Sequence, residues 1–285
     1  MPELSPQRVA VRSSWPRGFA PIAILAALTT LSGCGRQQGQ RITVTGSSTV
    51  APLATEIGKQ FEQQNPGWRV DVQMGGSSRG IADVRSGSAM VGMVSRALKP
   101  AERDLKARTI ALDGIALIVN KANPIQNLSD AQIVGIYTGK IRNWREVGGA
   151  AAPITVVNKA EGRSTLELFL EHFKLKAPQV KASIVIGDNQ QGILTVSKDP
   201  NAIAYVSIGT ASYEATHGAA IRLLPLEGTP PTLAAVQSGR YPLARPLNLV
   251  TRPDPTPPVR RFLDYASSPQ VDGLINKQFF VVPRR

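Results

Sequence analysis

Cysteine, histidine and aromatic residues are all scarce in this chain, which has one Cys, two His and 5% Phe, Trp and Tyr among 285 residues. A single Cys excludes an intrachain disulfide and a cysteine metal cluster. Of the two imidazoles, His172 lies in an amphipathic helical pattern and His217 precedes Gly218 in a turn. Neither stands in a recognisable general-base position, and no G-x-S-x-G elbow occurs, so the chain is not expected to be an enzyme. No His, Cys or Asp group has the spacing of a ligand set, so neither a metal nor a cofactor is expected. A Walker-type loop is also absent, since Gly162-Arg-Ser-Thr165 lacks its preceding glycine spacing. Basic residues are scattered and never interleave with aromatics in a run, which argues against a nucleic-acid partner.

Long apolar runs are scarce too. The one from Phe19 to Leu31 is too short for a comfortable membrane span, and it follows Arg8, Arg12 and Arg17. It ends in Leu31-Ser-Gly-Cys34, which resembles a bacterial lipobox. Residues 1–33 are therefore read as a lipoprotein signal peptide, and Cys34 as the lipidated first residue of the mature chain. Cleavage there removes three Arg and one Glu, which takes the net charge from +13 to +11 and leaves 252 residues. That length suits one large or two small α/β domains, and 42% hydrophobic content supports a real core. A strongly basic exported chain is compatible with an anionic partner, although a solvated surface accounts for most of the charge.

After a polar tether at 34–40, strand-like and helix-like patterns alternate, which predicts α/β architecture with largely parallel sheets. Val50, Leu53, Ala54, Ile57 and Phe61 share one helical face that ends near Asn65-Pro66-Gly67. Ile81 and Val84 mark a second, short helix. A strand over 89–94 delivers Ser95 and Arg96, and a long apolar run covers 109–119. Ser129 is placed to cap a helix carrying Ile133, Ile136 and Tyr137, and Leu166, Phe169, Leu170 and Phe173 repeat the helical spacing. A further strand is predicted over 202–208, with helices near 258–266 and 271–277.

Three junctions in this pattern look alike: Thr45-Gly-Ser-Ser-Thr49, Met74-Gly-Gly-Ser-Ser-Arg-Gly80 and Ala160-Glu-Gly-Arg-Ser-Thr165. Each runs from a strand through glycine and hydroxyl residues into a helix. A helix N-terminus presents unpaired N–H groups and the positive end of the helix dipole, and hydroxyls add donors. One such junction is ordinary capping, but three in one chain can enclose a small tetrahedral oxyanion.

The motifs carry a family resemblance. Gly46-Ser-Ser-Thr-Val-Ala-Pro52, Gly75-Gly-Ser-Ser-Arg-Gly-Ile81, Ser95-Arg96, Asp113-Gly-Ile-Ala, Asn123-Pro124, Tyr137 to Gly149, Ala202-Ile-Ala-Tyr-Val-Ser and Tyr241-Pro-Leu-Ala-Arg-Pro246 resemble, in order, the phosphate ABC transporter substrate-binding proteins. The resemblance implies an α/β, two-lobed type II periplasmic binding protein fold, with two crossover segments and a ligand cleft between the lobes. Lobe 1 would comprise 41–118 plus 206–285, and lobe 2 would comprise 119–205. It further implies a lipid-anchored, monomeric protein of the periplasm or cell surface that captures inorganic phosphate for ABC permease subunits. A sensor built on the same fold without transport, or a binder of sulfate or molybdate, is the alternative.

Carried over by position, the family pattern implies that Ser48, Thr49, Ser77, Ser78, Ser95 and Arg96 hold the anion from lobe 1. Gly162 to Thr165 would hold it from lobe 2, with Arg96 the natural charge partner. Two departures stand out. Many members have Gly-Ser-Gly-Thr where this chain has Gly162-Arg163-Ser164-Thr165, so Arg163 either adds a second cation or points outward. Others have an Asp, which accepts the proton of hydrogen phosphate, where this chain has Arg96. Asp113 is a candidate substitute, or else a partner for local backbone N–H groups.

Overall fold

The computed structural model describes residues 40–285. The segment read as a signal peptide, Cys34 and all but the last residue of the tether lie outside them. The first half of the described chain runs β1 (Gln40–Gly46), α1 (Ala51–Gln64), β2 (Trp68–Met74), α2 (Ser77–Ser86), β3 (Val91–Val94), β4 (Lys106–Asn120) and α3 (Asp130–Tyr137). It continues through β5 (Thr155–Lys159), α4 (Ser164–His172), β6 (Ile184–Ile186), α5 (Asn189–Lys198), β7 (Ala202–Ser207) and α6 (Ile208–Thr216). The remainder is β8 (Ile221–Leu223), α7 (Leu233–Gln237), β9 (Ala244–Thr251), α8 (Pro257–Ala266) and α9 (Asp272–Lys277). No helix among the described residues is long and apolar enough to cross a membrane.

The strands form one path in the order β2-β1-β3-β9-β4-β7-β5-β6, with β8 pairing β4. Its two ends are parallel: β1 lies between β2 and β3, and β5 lies between β6 and β7. The middle is antiparallel, and β4 belongs to both halves. Lys106 to Gly114 pair with β9, whereas Ile115 to Val119 pair with β7. In each half the helices that follow parallel strands cover the sheet, as parallel strands require on both faces.

Burial follows the predicted faces. Leu53, Ala54, Ile57 and Phe61 of α1 pack with Val44, Met93, Leu247 and Phe262 in one core. In the other half, Tyr137, Trp144, Phe169 and Tyr205 fill one face of the sheet, and Ile186, Ile193, Val196 and Val206 fill the opposite one. Phe169 and Tyr205 stack with centroids 3.9 Å apart. Ser129 caps α3 by accepting from Gln132 N–H, while Gln132 accepts from Ser129 N–H.

The sheet moves one boundary. The chain was expected to return to the first lobe at 206, but β8 pairs with Ile118 to Asn120 of β4. Leu224, Leu226, Val236, Tyr241 and Leu243 also share the core of Trp144 and Tyr205. Hydrogen bonding and packing keep the chain with the second half until β9 begins at Ala244. Sequence pattern missed this because β8 is three residues long and α7 five, too short to show a period.

Candidate functional site

Register places the junctions together. Gly46 at the end of β1 pairs with Met74 of β2 and Met93 of β3, so three carboxyl-terminal strand ends share one edge. In the other half, β5 ends at Lys159, which pairs with Ile186 at the end of β6. The crevice beyond the carboxyl ends of parallel strands is where α/β sheets bind ligands. Here the loops of the two halves touch, since Ser78 N–H donates to Gly162 C=O at 3.2 Å. Gly76 permits this approach. Its φ is +94°, and a Cβ there would stand 2.7 Å from Gly162 O.

Between these loops lies a small cavity lined by Ser47, Ser48, Thr49, Gly76, Ser77, Ser95, Arg163, Ser164 and Thr165. The α1, α2 and α4 N-termini all contribute to it. Beneath it sits Arg245, the residue that sequence reasoning passed over. Arg245 Nε and Nη2 donate to Asp113 Oδ2 at 3.1 and 2.8 Å. Nη1 donates to Thr165 Oγ1 at 2.9 Å and reaches Ser95 Oγ at 3.4 Å, while Nη2 reaches Thr49 Oγ1 at 3.3 Å.

This arrangement fixes hydroxyl polarity. A guanidinium only donates, so the hydroxyl oxygens of Thr49, Ser95 and Thr165 must accept from it. Thr49 also accepts from Asn189 Nδ2 at 3.2 Å, and Ser95 from Ser47 Oγ at 3.0 Å. The Asn189 amide is itself oriented, because its Oδ1 accepts from Lys159 Nζ at 3.1 Å and from Ser207 N–H at 3.4 Å. With their acceptor capacity committed, the hydroxyls keep their own protons to donate. Two further polar atoms of lining residues, Arg163 Nε and Ser164 Oγ, are buried without a hydrogen-bond partner among the described residues. The cavity is therefore a surface of donors, the chemistry that suits an oxyanion.

Lys159 adds a titratable charge behind this surface. Burial pulls its ammonium down to about 7; Asp188 works against that, and Arg245 and Arg163 lower it further. Its Nζ also donates to Asp188 C=O at 2.6 Å.

Three residues expected at the anion are committed elsewhere. Arg96 is buried, but it grips Glu102 with Nη1 and Nη2 at 2.7 and 2.8 Å, and donates from Nε to Glu167 Oε2 at 2.9 Å. Two carboxylates and the Ala97 carbonyl use its donors, so it does not line the cavity. Ser78 is exposed and its Oγ donates to Glu167 Oε1 at 3.2 Å. Asp113 is buried, accepts from Arg245 and from Gly209 N–H at the start of α6, and does not line the cavity. Ser48, Thr49, Ser77, Ser95, Arg163, Ser164 and Thr165 all line the cavity. Arg245 had a signal in the Tyr241-Pro-Leu-Ala-Arg-Pro246 motif, but only the β4–β9 pairing of Asp113 with Arg245 reveals its role.

Comparison with known proteins agrees with this geometry. A family model for the PBP superfamily domain matches residues 31–270. The phosphate-binding protein PstS of Bacillus subtilis is 27% identical over 238 residues, covering 82% of this chain and 77% of its own. A crystal structure from Clostridium perfringens, solved with bound phosphate, superposes with a TM-score of 0.79 at 31% identity, covering 86% of this chain and 100% of that one. An ABC-type phosphate transport receptor from Vibrio cholerae gives 0.70 at 30% identity, covering 85% and 100%. With the strand-edge cavity and its three helix N-termini, these matches establish that the chain belongs to the PBP superfamily and, within it, to the PstS-like periplasmic binding proteins.

Proposed function

We propose that this protein captures inorganic phosphate outside the cytoplasm and delivers it to the permease subunits of an ABC importer. The observation that carries the reading is the cavity's donor surface, in which Thr49, Ser95 and Thr165 are held as donors by Arg245, and Arg163 Nε and Ser164 Oγ remain uncommitted. The two halves would act as lobes, the first comprising about 41–114 and 244–285 and the second about 115–243, closing on the anion by hinge motion. Ser48 and Ser77 complete the set of contacts, and no catalytic step is involved.

Calorimetry against phosphate, arsenate, sulfate and molybdate tests the reading. One phosphate per chain is expected, with arsenate as a close competitor. Heat with sulfate or molybdate but none with phosphate would replace phosphate with another oxyanion as the ligand. The absence of a free carboxylate at the cavity supports recognition by charge and shape, without a proton acceptor.

Lipidation of Cys34 is the finer part of the proposal, supported by Leu31-Ser-Gly-Cys34 behind a basic segment. The mature protein would then act as a monomer tethered at the membrane, in the periplasm or at the cell surface. Cys34→Ser should release the chain or leave it unprocessed. Native material whose intact mass starts elsewhere, or lacks acyl groups, would remove the anchor from this account. Stable attachment needs more than one acyl chain, as a diacylated or triacylated cysteine provides.

A further inference from the structure

A second cluster of ligand-type side chains lies outside the anion site and joins three separate segments. Asp130 is the first residue of α3, His172 the last of α4, and Glu227 sits in the turn between β8 and α7. Their ligand atoms all lie within 4.8 Å of one another. His172 Nε2 is 3.4 Å from Glu227 Oε1, yet it is buried and makes no hydrogen bond. The Asp130 and Glu227 carboxylates also take no hydrogen bond from any described residue.

The His172–Glu227 spacing is that of two ligands around one ion. Two donors each about 2.1 Å from a tetrahedral zinc lie about 3.4 Å apart. The Asp130 carboxylate lies within 4.8 Å of the other two ligand atoms and would move inward on binding. The backbone holds the set. Leu226 and Thr229 exchange hydrogen bonds at 3.0 and 2.8 Å around Glu227 and Gly228, whose φ values are +49° and +72°, as in a type I′ turn. The imidazole is fixed edge-on to Phe173 at 4.7 Å. A surface cleft lined by Leu128, Ser129, Asp130, Pro225 and Glu227 opens the two carboxylates, though not His172, to solvent.

We propose that Asp130, His172 and Glu227 bind one divalent transition-metal ion of the zinc class. A neutral imidazole with two carboxylates carries a charge of −2, which a divalent ion balances. A nitrogen donor selects zinc or cobalt over magnesium and calcium. The site is separate from the phosphate cavity, and each can be measured alone.

The test is titration of the purified, chelator-stripped protein with Zn²⁺ and Co²⁺ in phosphate-free buffer. One ion per chain is expected, with a visible cobalt band of tetrahedral or five-coordinate type. His172→Gln and Asp130→Asn should each weaken Zn²⁺ at least tenfold while phosphate affinity stays unchanged, the latter showing that the variants remain folded. Zinc that binds equally well to His172→Gln, or only at millimolar concentration, overturns the proposal. So does a wild type in which the His172 ring resonances do not move on adding Zn²⁺, since His172 would then be only an ion-pair partner of Glu227.

Discussion

Arg245 and Asp113 form an ion pair at 2.8 Å with side chains 1% and 0% exposed, placing a compensated cation directly beneath three cavity hydroxyls. Because Asp113 balances the charge, Arg245 can stay buried before any ligand arrives. Removing either partner leaves the other as an unpaired buried charge, a loss of about 3–5 kcal/mol in comparable cases.

Arg245→Ala should therefore lower both stability and phosphate affinity. Thermal melting and phosphate titration read the two effects, and Arg245→Ala with Asp113→Asn should recover part of the stability but not the affinity. Unchanged binding in a folded Arg245→Ala would remove Arg245 from the site.

Glu167 ties the halves together without touching the cavity. It accepts from Arg96 Nε at 2.9 Å, from Lys99 Nζ at 2.7 Å and from Ser78 Oγ at 3.2 Å. Glu167→Gln should weaken phosphate by about 1 kcal/mol, chiefly through faster release, because the pairs are partly exposed. Raising salt should bring the wild type toward the variant. If the release rates match at low salt, Glu167 plays no part in closure.

Lys159 predicts proton uptake on binding. With a pKa of about 7 it is mostly neutral at pH 8, and a phosphate bound nearby would favour its charged form. Asp188, Arg245 and Arg163 are the charges that act on it. Calorimetry at pH 8 in buffers of different ionisation enthalpy should show protons taken up by the wild type and fewer by Lys159→Met. The sign for folding is opposite to that of a salt-bridged lysine. A folded pKa below the unfolded value near 10.5 costs stability most below about pH 7, and the cost fades as pH rises toward 10.5. Lys159→Met should flatten that rise.

Arg163 lines the cavity with an uncommitted Nε. Phosphate gains most of its second charge between pH 5 and 8, with a second pKa of about 6 by analogy with phosphoserine. Arg163→Ala should therefore lose affinity mainly at the high end of that range, by about tenfold or more. Curves that differ by a constant factor across the range would assign Arg163 a packing role.

Local pattern made much of this readable. Amphipathic spacing located α1, α2, α3 and α4, and glycine-hydroxyl junctions located the residues that line the cavity. What pattern could not supply was partnership across long separations. Arg96 and Arg245 are both buried Arg residues in recognisable motifs, and only the fold shows that Glu102 and Glu167 claim the first, while Asp113 places the second under Thr49 and Thr165. The same limit hid Asn189 and Lys159, whose roles exist only through Thr49, and the meeting of Asp130, His172 and Glu227. Very short elements such as β8 and α7 gave no period, so the point of return between the halves was misplaced.

Strand β4 has a consequence for how the molecule comes apart. One continuous backbone supplies ladder hydrogen bonds to β9 before Gly114 and to β7 after it, so neither half owns a complete sheet. Melting one half would strip pairing from a strand that the other half needs. If the two halves rock about a hinge as proposed, they should still denature as a single cooperative unit, with one thermal transition. The amides from Ala111 to Val119 should be among the slowest in the molecule to exchange with deuterium, even though they cross from one half to the other.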